Sequence, residues 1–147
     1  MFEMIRNVST RNRDIEKEIT DLVGNSYSLF ERFRMGGNGS PRLTIIDASK
    51  QIKELLLKDS YINYCNVEMR PQGIVVGFRS RLETYVWCIP FNKLSVFKNK
   101  HSFTIYAEKE KLAIQNKNKS AAAFFRKLLN QKSKFIKTQE YVDNLWN

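Results

Sequence analysis

One histidine in 147 residues, His101, removes most of the chemistry that runs through an imidazole. Activation of a nucleophile by a histidine base, and zinc sites of paired histidines or cysteines, both need partners at spacings this chain lacks. His101 lies between Lys100 and Ser102 in a segment predicted to be a polar hairpin turn, where a solvated side chain is expected. Cysteine is nearly as scarce. Cys65 and Cys88 each fall inside a β-like run, which predicts two half-buried thiols in a reducing compartment and leaves open a disulfide between neighbouring strands. Acids are few where strands are predicted: between residues 62 and 115 there are Glu68, Glu83, Glu108 and Glu110, and outward-facing positions account for all four. No nucleophile, base and orienting group stand out as a set. The expectation is a protein without catalytic activity, cofactor or metal.

Long apolar runs are missing as well. Residues 1–13 carry Glu3, Arg6, Arg11 and Arg13 and no run of seven or more apolar residues, so no signal-peptide core is predicted. No stretch approaches the roughly 18 apolar residues of a membrane-spanning helix, and a cytoplasmic location follows as the expectation. Glycine clusters only in the Met35-Gly36-Gly37-Asn38-Gly39-Ser40-Pro41 stretch, which lacks both GxGxxG and a GKS/T ending and predicts a linker rather than a phosphate cradle.

What is abundant is positive charge, and it is local. Residues 92–137 hold twelve lysines and arginines against Glu108 and Glu110, which accounts for the entire net charge of +10. The ten residues after them have two acids and no base. The stretch is therefore a candidate face for an anionic partner. Apolar residues at 42% of a 147-residue chain suffice for one packed domain.

Ile15, Ile19, Leu22, Val23, Phe30 and Phe33 share one face at a 3.6-residue period and predict a long amphipathic helix over residues 10–34. Ser9 or Thr10 is placed to cap it, and Gly24 and Asn25 to bend or split it. Thr44 and Asp47 resemble a capping box, and Ala48, Ile52, Leu55 and Leu56 continue as a second helix to residue 58; a strand over residues 43–46 is the competing assignment. Beyond residue 60 the period changes to 2. Strands are predicted over residues 64–70, 74–79, 82–89, 94–97, 103–107 and 112–115, an antiparallel meander of about six with Trp87 in the core and Pro90 ending or bulging its strand. Asn118 or Ser120 is placed to cap a third helix whose apolar face, Ala121, Phe124, Phe125, Leu128 and Leu129, would close the sheet. Tyr141, Val142, Leu145 and Trp146 predict a short terminal helix docked on the body. The fold class is thus α+β in a single domain: a helical region (residues 1–60), a strand block with its closing helix (62–137) and a docked tail (138–147).

Trp87-Cys88-Ile89-Pro90-Phe91-Asn92-Lys93-Leu94-Ser95-Val96-Phe97, then Phe103-Thr104-Ile105-Tyr106-Ala107, Lys111-Leu112-Ala113-Ile114 and the helix from Ala121 to Leu129 carry a resemblance to the bacterial members of the pleckstrin-homology-like superfold. It covers residues 62–132, through hydrophobic pattern and order of elements. It implies a roll of seven strands closed by a helix; six are predicted here, and a strand over residues 43–46 or a break within residues 82–94 would supply the seventh. It also implies a binding module, with the ligand undecided by fold alone. Family members that bind phosphoinositides carry cations in the loop joining the first two strands, whereas Arg70-Pro71-Gln72-Gly73 has one.

The function expected is therefore a non-enzymatic interaction module. Its candidate contacts to an acidic protein or anionic surface are Arg79, Arg81, Lys98, Lys100, Lys109, Lys111, Arg126, Lys127, Lys132 and Lys134. Single-stranded nucleic acid is the alternative partner, with Phe97, Phe103 or Tyr106 as stacking surfaces if exposed. A homodimer through the N-terminal helices is the structural alternative.

Overall fold

A computed structural model describes residues 5–56 and 63–146. The strands are β1 (Ile5–Asn7), β2 (Leu43–Ala48), β3 (Asn63–Arg70), β4 (Gly73–Ser80), β5 (Glu83–Pro90), β6 (Ser95–Lys98), β7 (Ser102–Ala107) and β8 (Glu110–Gln115). Every ladder is antiparallel, and the eight form one sheet in the order β1-β5-β4-β3-β2-β8-β7-β6. The six predicted strands are all present, within two residues at each end. Two more appear, β1 and β2.

The strand alternative over residues 43–46 is the one realised. Thr44, Ile45 and Ile46 are β-branched, and Leu43 and Ile45 alternate into the core between β3 and β8. The helix α3 (Lys50–Leu56) begins only after this strand. Asp47 is no capping residue. Its carboxylate pairs with Lys53 at 3.3 Å and Lys111 at 3.9 Å, and the backbone N–H of Ala48, then Lys53, hold its pKa below the usual aspartate value. Ser49 fixes the start of α3 instead: its carbonyl accepts from the N–H of Lys53, and its hydroxyl donates to Glu110. The predicted end of this helix at residue 58, and the boundary at 60–62, lie outside the described residues.

The long N-terminal helix is two. Gly24, at φ +89°, ends α1 (Arg13–Val23), and α2 (Leu29–Arg34) starts afresh from a Ser28–Glu31 capping box. Asn12 caps α1, accepting from the N–H of Asp14 at 2.9 Å; Ser9 is bound to Asn7 and Glu83 and Thr10 is not the cap. The break separates the apolar stripe. Ile19, Leu22 and Val23 pack on Val75, Val86 and Cys88 on the outer face of the sheet, whereas Phe30 and Phe33 of α2 are exposed.

The inner face carries the main core. Cys65, Val67, Met69, Ile74, Val76, Phe78, Trp87, Ile89, Ile105, Leu112 and Ile114 alternate inward, each large apolar side chain worth about 1.5–3 kcal/mol of burial. The long helix α4 (Lys119–Trp146) closes this face with Ala121, Phe124, Phe125 and Leu128, and Phe125 stacks on Phe103 at 4.4 Å between centroids. Asn118 caps it, accepting from the N–H of Ala121 at 2.7 Å. A single 3-10 turn (Phe91–Lys93) follows Pro90 and leads into β6. The tail forms no separate helix: α4 runs through it without a break, and Tyr141, Val142 and Leu145 are exposed rather than docked.

Candidate partner-binding surface

The ten cations singled out in the sequence do not share a face. In the β6–β7–β8 ladder Lys98 is opposite Phe103 and Ala107 opposite Glu110, so the turn with Lys98 and Lys100 lies at one end of β7 and the turn with Lys109 at the other. A six-residue strand separates them by roughly 17 Å. Several are already engaged. Lys127 donates to the carbonyls of Gly36 and Gly37 at 3.1 and 3.2 Å, closing the C-terminal end of α2, and Lys132 donates to Leu94. Lys111 faces Asp47. Arg81 occupies the β4–β5 turn at φ +57°, Lys134 borders a hollow with Tyr27, Glu31 and Arg34, and Arg79 lies on the outer face of β4.

One pair does come together. Lys98 and Arg126 rim a hollow of about 200 Å³ between β6 and α4, floored by Val96, Phe103, Ala122, Phe125 and Leu129. Local structure puts them there. β6 alternates so that Val96 and Lys98 point inward beside Ile105 and Phe103, and the Lys98 ammonium lies 6.0 Å from the Phe103 ring centre. Arg126 follows Phe125 on α4, one step round the helix from the core stripe. Neither cation has an ion-pair partner among the described residues. The hollow adjoins the terminal strand of the sheet. β6 is bonded only to β7, which leaves the opposite row of its backbone groups without a neighbouring strand among the described residues.

The loop 70–73 is occupied by the fold itself. Arg70 pairs with Glu68 at 3.1 Å, its hydrogen bond coming from Nη2 at 3.4 Å, and donates to the carbonyl of Gly24 at 3.0 Å, while the N–H of Gln72 reaches Val23. Cys65 and Cys88 are on β3 and β5, separated by β4, one in the main core on the inner face of the sheet and one under α1, and both are free. Burial pushes each thiol up to about 12, so both stay protonated near neutrality and are poor nucleophiles. The side chain of His101 is exposed in the β6–β7 turn, as expected, and its backbone N–H is bound by Asn99. Among the described residues no three His, Cys, Asp or Glu side chains gather as for a metal ion, and no helix is long and apolar enough to cross a membrane.

Of the three aromatics named as stacking surfaces, Phe103 is buried. Phe97 and Tyr106 are 62% and 38% exposed on the outer face, edge to face at 5.3 Å. Arg42 and Tyr64 went unnoticed in the sequence, although Tyr64 and Asn66 alternate with the inward Cys65 and Val67 and so had to face outward. Compared with family models, curated proteins and solved structures, the chain finds no match in any of the three.

Proposed function

We propose that this protein is a non-enzymatic interaction module of pleckstrin-homology-like plan, which receives an extended acidic segment of a partner protein along β6. The observation that carries this reading is the juxtaposition of an open strand edge, an apolar hollow and two unpaired cations at its rim. An added strand would supply backbone hydrogen bonds, an apolar side chain would enter the hollow, and flanking carboxylates would meet Lys98 and Arg126. The seven strands β2 to β8 followed by α4 support the plan, with β2 in the place of the strand that the sequence alone left missing. Two buried protonated thiols fit a reducing compartment, and we place the protein in the cytoplasm.

The test is fluorescence anisotropy with a panel of labelled peptides in which one central Leu or Phe is flanked by Asp and Glu. Such peptides are expected to bind the full chain, and Lys98→Glu with Arg126→Glu to weaken binding by roughly tenfold or more, each charge-assisted contact being worth 1.5 kcal/mol or above. Lys109→Glu, at the far end of β7, is the control. Equal weakening by this control, or no binding by any peptide, sinks the assignment.

A second reading rests on Phe97 and Tyr106. Two exposed rings in edge contact offer single-stranded nucleic acid a stacking surface.

A further inference from the structure

The outer face of β2 to β5 is divided. α1 covers Val75, Val86 and Cys88, and beside it lies a hollow of about 520 Å³ lined by Arg42, Asn63, Tyr64, Asn66, Gly77, Phe78, Arg79 and Thr84. This volume falls in the range of small-molecule sites. The strand register explains the lining. Asn66 is opposite Gly77 and Arg79 opposite Thr84, so the outward positions of three strands converge on one spot, and at its centre stands a residue with no side chain.

Gly77 is not there for its backbone. Its φ is not positive, and a Cβ at this position would meet nothing closer than the carbonyl oxygen of Asn66 at 4.0 Å. The glycine leaves open space and little else. Among the described residues the charge around that space is of one sign: none of their carboxylates lines it, and Glu68, the next outward position on β3, is bound to Arg70. Arg6, Arg11 and Arg70 each pair with an acid, whereas Arg42 and Arg79 have no acidic partner among the described residues. The Arg42 guanidinium carbon lies over the Tyr64 ring, 4.2 Å from its centre, a cation–π contact that leaves the N–H donors of Arg42 free to meet an anion and sets the Tyr64 ring and the guanidinium side by side as one wall of the hollow.

We propose that this hollow binds a small phosphate monoester carrying a planar heterocycle, the chemistry of a mononucleotide. The heterocycle lies over Gly77 against the Tyr64–Arg42 wall, with the amides of Asn63 and Asn66 available to its ring heteroatoms. The phosphate is met by the guanidinium of Arg79 and the hydroxyl of Thr84.

Isothermal titration calorimetry and amide NMR shifts on the full chain test this with adenosine and uridine 5′-monophosphate. Inorganic phosphate, ribose 5-phosphate and the two nucleosides serve as partial ligands. At least one monophosphate is expected to bind more tightly than every partial ligand, by roughly tenfold or more. Gly77→Leu fills the space and is expected to abolish binding with an unchanged melting temperature; Arg79→Gln, at an exposed position, is expected to weaken the monophosphate but not the nucleoside. Should the leucine variant fail to fold, the arginine variant decides alone. Phosphate binding as tightly as the nucleotide, binding retained in a folded Gly77→Leu, or no heat and no shifts at millimolar nucleotide would each overturn the assignment. Lys98→Glu is expected to leave this binding intact, which separates it from the peptide site.

Discussion

At the scale of single residues, two glycines on β4 show how the same residue type serves opposite ends. Gly77 marks open space. Gly73 marks the reverse: a Cβ there would sit 2.7 Å from Val23 Cγ1 and 2.9 Å from Pro90 Cα, and would collide with the carbonyl oxygen of Ile89. That crowding is where the C-terminal end of α1 locks against the β3–β4 turn, through the N–H of Gln72 bonded to Val23. Gly73→Ala is therefore expected to destabilise the protein by about 2 kcal/mol or more, because two of the three obstacles are backbone and cannot rotate away. Gly77→Ala is expected to change stability by less than about 1 kcal/mol. Paired urea melts check both, and equal losses would contradict the packing described at Gly73. Neither environment was legible in the sequence, where both glycines are simply small residues inside or beside a predicted strand.

At the scale of elements, legibility followed how strongly one face had to be buried. The strands from β3 to β8 and the closing helix α4 were readable because Cys65-Val67-Met69, Ile74-Val76-Phe78 and Ala121-Phe124-Phe125-Leu128 alternate or recur at the period of their own structure. β1 was not readable: three residues, Ile5, Arg6 and Asn7, gain their strand geometry only by pairing with Trp87, Val86 and Tyr85. β2 was legible only as one of two competing assignments. Leu43-Thr44-Ile45-Ile46-Asp47 contains apolar residues that fit either period, and only the gap between β3 and β8 selects the strand. At the other end of the chain, helical periodicity in residues 138–147 was real but did not imply docking. α4 outruns the sheet, and Tyr141, Val142 and Leu145 stay exposed. Deleting residues 138–147 is accordingly expected to cost less than about 1 kcal/mol, whereas Phe125→Ala, buried against Phe103, is expected to cost about 3–5 kcal/mol. Thermal denaturation of the two variants gives the comparison, and a large loss on truncation would show that the tail packs against the body.

At the scale of the whole molecule, the sequence located the positive charge along the chain but carried no information about its direction in space. Position along a β-meander alternates between the two ends of the sheet, so lysines nine residues apart, such as Lys100 and Lys109, finish at opposite ends of β7. Ion pairs reduce the count further, since Lys93 is bound to Glu108 and Lys111 faces Asp47, and Lys127 and Lys132 are spent on backbone carbonyls. The consequence is measurable with a single-stranded oligonucleotide as the anionic probe. Each phosphate contact contributes a slope of about −0.7 to log Kobs against log salt, so ten cations acting together would give about −7. With the charge dispersed as it is here, a strand stacked on Phe97 and Tyr106 is expected to give a much shallower slope, near −2, the value for about three phosphate contacts. Phe97→Ala is expected to lower affinity at every salt concentration without changing the slope, because it removes stacking and no charge. A slope steeper than about −5 would mean that the cations converge after all, and no retention at low salt would remove nucleic acid from the partners of this face.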